Sequence, residues 1–204
     1  GDTEGKWSLM YRYKYQYEYD AKDNITKKTT LVWRDYLGEY DTESVLTYEY
    51  FYGSNEALEL PYSNNFDADD SFDGYTASGS GEAGAGWKLG NGSAICTAAV
   101  DSDPNIPEIL YLPALRFTTD NEIEISFKAN ASKPGKLQMI LCRNDETHTP
   151  LGTIGQMWDI TDTESQEIKG FVVPDKSDAY VIGICFDNYQ KGSEVYVDDV
   201  DVKN

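Results

Sequence analysis

Two acidic segments that are far apart in the sequence could bind a cation. Asp67, Asp69 and Asp70 lie in one segment, and Asp198 and Asp199 lie near the C-terminus. Calcium takes about six to eight oxygen ligands, mostly from carboxylates and carbonyls, and clustered carboxylates repel each other without a cation. The pattern therefore predicts a structural calcium site, with a solvated acidic edge as the alternative. The predicted ligands are Asp67, Asp69, Asp198 and Asp199.

The hydrophobic pattern near the C-terminus predicts a strand with one irregularity. Val195 and Val197 share one parity, whereas Val200 and Val202 have the other. A one-residue slip in a regular alternation is typical of a β-bulge, which re-aims a side chain. The slip falls at Asp198-Asp199. We therefore expect a bulge that turns one aspartate inward or toward the neighbouring strand, where the acidic opening segment would pair.

Three aromatic side chains could form platforms for a sugar ring, because sugar C–H faces stack on exposed aromatic rings and sugar hydroxyls hydrogen-bond to polar side chains. Trp87 lies among glycines, and Trp158 follows a glycine-rich segment. Asp187, Asn188 and Tyr189 place polar groups in a row at the end of a predicted strand. These five residues are the predicted ligand-binding set. The alternative is that both tryptophans fill the core, the commoner fate of large aromatic residues.

Signatures of catalysis are sparse. The single histidine, His148, lies in a polar segment, and the chain has no Gly-x-Ser-x-Gly pattern and no zinc-binding set of histidines and cysteines. A glycosidase needs only two carboxylates on facing strands, and the 36 acidic residues leave that alternative open. The nearest such pattern is Glu122-Ile-Glu124. No catalytic residue is predicted, and a non-enzyme is favoured.

Charge and hydropathy exclude several partners. The 36 acidic and 17 basic residues give a net charge of −19, which repels phosphate backbones and anionic membrane surfaces. We therefore expect no nucleic-acid partner. No apolar run approaches the roughly 18 residues that a membrane-spanning helix needs, so we expect no membrane insertion. Hydrophobic residues at 40% and aromatic residues at 13% indicate a folded chain rather than an acidic tail.

Two features bear on processing and compartment. Gly1–Gly5 is polar and has neither the charged nor the apolar region of a signal peptide. We expect an extracellular or cell-surface protein from which a signal or lipid-anchor segment has been removed. Cys96, Cys142 and Cys185 are odd in number and widely spaced. They are interpreted as buried free thiols, with one disulfide as the alternative.

The first sixty residues predict a three-stranded antiparallel meander. Residues 7–19 alternate without a break and place tyrosines on one face, residues 25–33 are rich in Thr, Val and Ile, and residues 44–52 alternate again. Ten of the sixteen tyrosines fall in residues 1–60, which indicates a boundary near Leu60-Pro61. We predict a Tyr-rich meander over 1–60 and a second unit over 61–204. The tyrosine face is expected to pack or to contact a partner.

Residues 61–204 predict a β-sandwich. Turn signals separate several short apolar runs, and no helical period is convincing. Residues 76–92 are predicted to be a long loop, and residues 158–166 to be a helical turn or a loop. The predicted strands are 94–100, 109–117, 122–129, 136–143, 167–173, 179–186 and 194–202.

Three stretches of this second region are distinctive: Leu60-Pro-Tyr-Ser-Asn-Asn-Phe-Asp67, Ile109-Leu-Tyr-Leu-Pro-Ala-Leu115 and Glu194-Val-Tyr-Val-Asp-Asp-Val-Asp-Val202. Together they resemble the cleaved-adhesin or choice-of-anchor J modules of bacterial surface proteins. The resemblance spans about 60–204 and implies a non-catalytic jelly roll that is secreted or surface-anchored. Such modules are associated with adhesion and glycan binding, often with structural calcium. Residues 17–29 also resemble one unit of a YD repeat.

Together these observations predict an all-β protein, a jelly-roll β-sandwich preceded by a three-stranded antiparallel meander. Its predicted function is that of a non-catalytic extracellular binding or adhesion module, directed to a glycan and holding structural calcium. One alternative is a protein-interaction piece of a larger surface assembly that uses the Tyr-rich face. The other is a glycoside-active enzyme. Both alternatives remain open at the level of sequence.

Overall fold

The computed structural model describes residues 12–19, 25–34, 38–50, 56–68, 72–80, 85–103, 106–119, 121–161 and 164–204. Within these ranges all regular structure is β-strand, as the alternating sequence pattern predicts. The strands are β1 (Tyr13–Tyr19), β2 (Ile25–Arg34), β3 (Glu39–Tyr50), β4 (Tyr62–Asn64), β5 (Thr76–Gly79), β6 (Gly86–Gly90), β7 (Ser93–Thr97), β8 (Glu108–Tyr111), β9 (Leu115–Phe117), β10 (Ile123–Ala131), β11 (Gly135–Arg143), β12 (Pro150–Ile160), β13 (Gln166–Val172), β14 (Asp178–Asp187) and β15 (Glu194–Lys203).

The strands form two antiparallel sheets that pack face to face. Among the described residues the larger sheet has nine strands, in the order β1-β2-β3-β5-β8-β14-β11-β12 with β9 also paired to β14. The described strands of the smaller sheet number six, in the order β13-β10-β15-β7-β6 with β4 also paired to β15. Many neighbours in each sheet are distant in sequence, as in a jelly roll. The predicted all-β sandwich is confirmed.

The core lies between the sheets and is filled by alternate residues of facing strands. Ile125 and Phe127 of β10 pack against the same interior as Ile184 and Phe186 of β14, and all four are buried. Each such side chain stabilises the fold by about 1.5–3 kcal/mol through burial. The three cysteines are buried and free, which confirms their interpretation as thiols.

The predicted meander is present, and it continues the larger sheet. β1 pairs with β2, and β2 with β3, both antiparallel. β3 then pairs with β5 of the sandwich, with Thr47 opposite Gly79 and Glu49 opposite Ala77. The meander therefore joins the sandwich edge to edge through a shared hydrogen-bond ladder. Residues 1–11 and 51–55, which include the ends of the first and third predicted strands, lie outside the described residues.

The seven strands predicted for the second region are found, with one change. The stretch 109–117 is divided into β8 and β9, which pair with different parts of β14. Residues 112–114 between them contain Pro113, whose missing N–H removes a donor from any ladder. The division therefore follows from the chemistry of proline.

Four strands were missed by the sequence analysis, and β4 (Tyr62–Asn64) is the shortest of them. The predicted loop 76–92 contains β5 and β6, and residues 158–160 end β12 instead of forming a helical turn or loop. Glycine hides β5, β6 and β12 from a propensity argument, yet close packing requires glycine in two of them. A Cβ on Gly79 of β5 would collide with the Glu108 carboxylate, and one on Gly155 of β12 would lie 2.9 Å from Trp158 Cη2. Residues 81–84 and 162–163 lie outside the described residues.

Candidate functional site

The first and last strands of the sandwich meet, and a groove opens beside them. β4 pairs with β15, with Val200 opposite Asn64 and Val202 opposite Tyr62. This pairing confirms the expectation that the opening and closing segments are neighbours. The adjoining groove is open to solvent and has a volume of about 690 Å³. Its lining residues are Leu58, Tyr62, Ser63, Asn64, Asn65, Ala68, Asp73, Pro113, Asp199, Val200 and Asp201.

The predicted bulge lies at the edge of this groove. Ser126 of β10 faces Asp201, whereas Lys128 faces Asp198, so Asp199 and Val200 lie together opposite Phe127. Asp199 adopts a left-handed backbone conformation with φ of 48°, which is uncommon for a residue other than glycine. The bulge restores Val200 to the core and turns Asp199 outward, where Lys128 Nζ lies 2.7 Å from its Oδ2.

A small hydrogen-bonded network fixes the inner wall of the groove. The hydroxyls of Tyr62 and Tyr75 lie 2.8 Å apart, and Asn64 Nδ2 donates to the Tyr75 hydroxyl at 3.2 Å. Asn64 Oδ1 accepts the Phe66 N–H at 2.9 Å, which secures the turn that follows β4. Burial raises the pKa of both tyrosines, so both remain neutral hydrogen-bonding groups.

A buried aromatic cluster packs on the core side of that network. Phe66, Phe72 and Tyr75 are buried, and the rings of Phe66 and Phe72 meet edge to face with centroids 5.7 Å apart. Phe66 has a positive φ of 55°, a backbone strain that its buried ring must outweigh. The cluster therefore anchors the acidic opening segment to the sandwich core.

The groove presents acidic and amide side chains above an apolar floor. Asp73, Asp199 and Asp201 supply carboxylates, and Asn65 supplies an amide. Asp201 Oδ2 lies 2.9 Å from Lys203 Nζ, so two of the three carboxylates have a lysine partner. Leu58, Pro113 and Val200 supply apolar surface. This mixture suits a ligand with many hydroxyls and C–H faces.

The predicted calcium ligands are only partly assembled by the described residues. Burial raises the pKa of Asp198, and the nearby carboxylates of Asp199 and Asp67 raise it further. Asp67 is exposed and accepts a hydrogen bond from Asn65 Nδ2 at 2.8 Å, while Asp199 is ion-paired with Lys128. Asp69 and Asp70 lie outside the described residues.

The described side chains do not form a complete metal-binding site. In the described ranges, no set of three or more acidic, histidine or cysteine side chains is arranged to hold a metal ion. Asp67 and Asp198 repel each other, as a cation site requires, but two carboxylates fall short of a calcium shell of about six to eight oxygens. The calcium prediction therefore depends on Asp69 and on neighbouring carbonyl groups.

Two of the three predicted aromatic platforms are buried. Trp87 is 2% exposed in β6, opposite Cys96 of β7, and Tyr189 is 3% exposed beneath Phe186 with ring centroids 4.9 Å apart. Neither ring offers an open face to a sugar, which is a correction to the sequence analysis. The physical reason is that both side chains fill the sandwich core, the alternative stated for the tryptophans.

The remaining residues of the predicted ligand set do not converge on the groove. Trp158 is partly buried at the end of β12, where its ring packs close to Gly155. Asp187 Oδ1 accepts the Asn188 N–H at 2.6 Å, so these two residues stabilise the turn after β14. None of the five lines the groove. Tyr189 lines a separate recess of about 340 Å³, together with Asp101, Asp103 and Glu43.

Sequence reasoning missed the groove residues although one signal was present. The opening segment places Ser63, Asn64 and Asn65 in a row, and all three are polar. A row of amides beside a closing acidic strand is a reasonable sign of a polar groove. Leu58 and Pro113, by contrast, reach the site only through tertiary structure.

The exposed aromatic surface lies elsewhere, on β1. Tyr13, Tyr15, Tyr17 and Tyr19 are between 43% and 57% exposed, and every residue of the strand is exposed. Lys28 Nζ of β2 lies 5.1 Å from the centre of the Tyr15 ring. The predicted Tyr-rich face is therefore a solvent-facing surface within the described part of the chain.

His148 lies away from the groove, on the outer face of the larger sheet. Its Nε2 is 2.8 Å from Thr76 Oγ1, and its ring is 4.4 Å from that of Tyr111. Burial lowers its pKa, although Asp145 and the Arg143 backbone act in the opposite direction. His148 therefore acts as a neutral packing residue.

Comparisons with known proteins identify a fold and no family. No protein-family model matches the chain, and no curated protein matches it. The K3 cleaved adhesin domain of Lys-gingipain from Porphyromonas gingivalis is similar in structure, with a TM-score of 0.51, 9% identity and coverage of 70% of this chain and 96% of that domain. The CBM22-1 xylan-binding domain from Paenibacillus barcinonensis Xyn10C has a TM-score of 0.49 and 13% identity, and the match covers 72% of this chain and 96% of that domain.

At 9% identity the likeness to the adhesin domain concerns the fold alone. It agrees with the resemblance inferred from the opening and closing segments, while membership of that family stays a prediction. The YD-like unit at 17–29 also stays a prediction, because residues 20–24 lie outside the described residues. The described residues include no helix with the length and apolarity to cross a membrane. The chain is thus similar to jelly-roll β-sandwich domains.

Proposed function

We propose that this protein is a non-catalytic extracellular binding or adhesion module that binds a glycan in the groove beside β4 and β15. The observation that carries the proposal is the groove itself, an open depression of about 690 Å³ lined by carboxylates, amides and a serine. Its size lies within the usual range of ligand sites, about 300–1,000 Å³. An open groove admits a chain of sugars that continues beyond either end.

The charge of the groove favours a neutral glycan. Sugar hydroxyls donate to the carboxylates of Asp73, Asp199 and Asp201 and accept from the amide of Asn65, while C–H faces lie on apolar side chains. A glycan with uronic acid or sulfate groups would be repelled by these carboxylates and by the net charge of −19. We therefore expect neutral sugars to bind more tightly than acidic ones.

A binding role is favoured over glycoside hydrolysis by the environment of the carboxylates. A glycosidase needs one carboxyl group that donates a proton and a second that acts as base or nucleophile. Asp199 and Asp201 each have a lysine partner, at 2.7 and 2.9 Å, an arrangement suited to fixed negative charge. Hydrolysis of a bound oligosaccharide remains the direct assay for the enzyme alternative.

Structural calcium is proposed as a second feature of the same end of the sandwich. Burial raises the pKa of Asp198, and the nearby Asp199 and Asp67 carboxylates raise it further. The contribution of these two carboxylates supports a cation there, because a cation would relieve their repulsion. Asp69 would complete the set. The ion would tie the opening segment to the closing strand and would take no part in chemistry.

The proposed glycan site is tested by binding to a panel of neutral and acidic oligosaccharides. Wild-type protein is expected to retain a subset of neutral glycans. Asp73→Ala removes one exposed carboxylate from the groove and should weaken that binding by about ten-fold or more. Glu122→Gln, a charge loss at an exposed residue outside the groove, is the matched control and should leave affinity unchanged. Equal affinity in both variants would contradict the proposal.

The protein-interaction alternative is favoured by one observation, the exposed tyrosines of β1. A partner bound there would be insensitive to Asp73→Ala and sensitive to Tyr15→Ala. A silent glycan panel combined with such a partner would replace the glycan proposal.

A further inference from the structure

β1 has an open hydrogen-bonding edge at Tyr15 and Tyr17 within the part of the chain that the structure describes. Among the described strands, β1 ends the larger sheet and pairs with β2 alone. The Trp33 N–H donates to the Arg12 carbonyl at 2.9 Å, so Arg12 and Trp33 form a hydrogen-bonded pair. Hydrogen-bonded and non-hydrogen-bonded pairs alternate along antiparallel strands. The backbone groups of Tyr15 and Tyr17 therefore point away from β2, toward the open edge.

The sequence of β1 is complementary to itself when read in the opposite direction. If Gln16 of one copy lies opposite Gln16 of another, Lys14 faces Glu18 and Tyr15 faces Tyr17, and each pair occurs twice. Opposite charges and aromatic pairs directly across a ladder are stabilising, whereas like charges are not. Shifting the register by two residues in either direction removes both Lys–Glu pairs.

The same register satisfies the backbone. With Gln16 on the two-fold axis, Tyr15 and Tyr17 become hydrogen-bonded pairs, and their outward N–H and C=O groups are the ones available. Lys14 of one copy and Glu18 of the other would also add to an existing ion pair, since Glu18 Oε1 already lies 2.9 Å from Lys27 Nζ of its own copy. The outward backbone groups thus select registers that differ by two residues, and the two Lys14–Glu18 pairs select one of them.

We propose that two copies of this chain associate through β1, antiparallel and in register about Gln16, to form one continuous sheet across the dimer. This interface goes beyond the proposed glycan site and leaves the groove uninvolved. Its symmetry is isologous, so it closes as a dimer and does not propagate into a fibre. The tyrosines of both copies line one face of the joined sheet, and the paired charges line the other.

Register is tested by a cysteine at the two-fold axis. The Cα atoms of a non-hydrogen-bonded antiparallel pair are about 4.5 Å apart, a separation that a disulfide spans. Gln16→Cys should therefore give a covalent dimer on mild oxidation of the full chain. Lys14→Cys is the matched control, since its two copies would lie four residues apart along the ladder. The native cysteines are buried and should not compete. Equal cross-linking of the two variants would overturn the proposal.

Charge reversal tests the same contact without covalent chemistry. Sedimentation equilibrium of the wild type should show a monomer–dimer equilibrium. Lys14→Glu and Glu18→Lys should each raise the dimer dissociation constant by ten-fold or more, because each places like charges opposite each other. The double variant should restore dimerisation. A wild type that stays monomeric at all concentrations, or a dimer that tolerates both single reversals, would overturn the proposal.

Discussion

The β4–β15 junction of the smaller sheet and the β1 edge of the larger sheet are stabilised differently. At the β4–β15 junction, strand pairing is supported by a buried aromatic cluster, a tyrosine–asparagine network and a β-bulge. In the meander, β1 is exposed along its whole length and is tied to the molecule through β2. The junction is therefore part of the folded core, whereas β1 is a surface element whose backbone at Tyr15 and Tyr17 points away from β2. The junction suits a preformed binding site, and β1 suits association.

The largest expected effect comes from removing the aromatic support of the junction. Phe66→Ala should lower the free energy of unfolding by about 3–5 kcal/mol, because it deletes a buried ring that touches Phe72 and Tyr75. Tyr17→Ala, at an exposed aromatic of β1, should change it by less than about 0.5 kcal/mol in protein kept monomeric. Urea unfolding followed by fluorescence measures both. Comparable losses would mean that the meander is as much a part of the core as the junction.

The second largest effect on stability is expected from calcium at the β4–β15 junction. A hundred-fold excess over the dissociation constant stabilises a fold by about 2.7 kcal/mol, so a chelator should lower the melting temperature of the wild type. Asp198→Asn removes one proposed ligand and relieves carboxylate repulsion, so it should abolish the calcium response without lowering stability in chelator. A melting temperature that changes with neither calcium nor chelator would contradict the proposed calcium site.

A smaller effect is expected at the bulge itself. Asp199 has a φ of 48°, and a β-branched residue tolerates that conformation poorly. Asp199→Val should therefore cost about 1–3 kcal/mol. Asp199→Asn, which also removes the charge but adopts this conformation more readily, should cost under about 1 kcal/mol. Thermal unfolding distinguishes the two, and equal costs would show that the lysine pair matters more than the backbone.

The smallest effect concerns His148, on the outer face of the larger sheet. Burial lowers its pKa below the ordinary 6.5, so the unfolded chain binds its proton first as the pH falls. Stability should therefore decline from about pH 7 down to the lowered pKa and then stop changing through this group. His148→Gln should flatten the profile in that window. Asp145 should act only at lower pH, because hydrogen bonds from Thr149 and Thr147 outweigh burial and lower its pKa. An unchanged profile in the variant would contradict the assignment.

Most of the fold could be predicted from the sequence because apolar and polar residues alternate strictly in many of the strands. Val195, Val197, Val200 and Val202 predicted both the closing strand and its bulge, because buried residues on one face force the register. The pairing of that strand with the opening segment also followed. β5, β6 and β12 were missed because glycines weaken strand patterns, although close contacts make glycine necessary at positions such as Gly79.

The site was less accessible to sequence reasoning. Trp87 and Tyr189 have types and neighbours typical of sugar platforms, and only their position between the sheets shows that they are core. The groove depends on Leu58 and Pro113, which reach β15 through folding and have no distinctive local pattern. Residue type indicated the chemistry, while accessibility was set by tertiary structure.

The most direct test of the groove as a ligand site is a backbone-amide NMR titration with a neutral oligosaccharide that the protein retains. We expect chemical-shift changes at 63–65, at Asp73 and at 199–201, with β1 unaffected. Changes confined to Tyr13–Tyr19, or to the turn at Asp187 and Asn188, would contradict a glycan site beside β4 and β15.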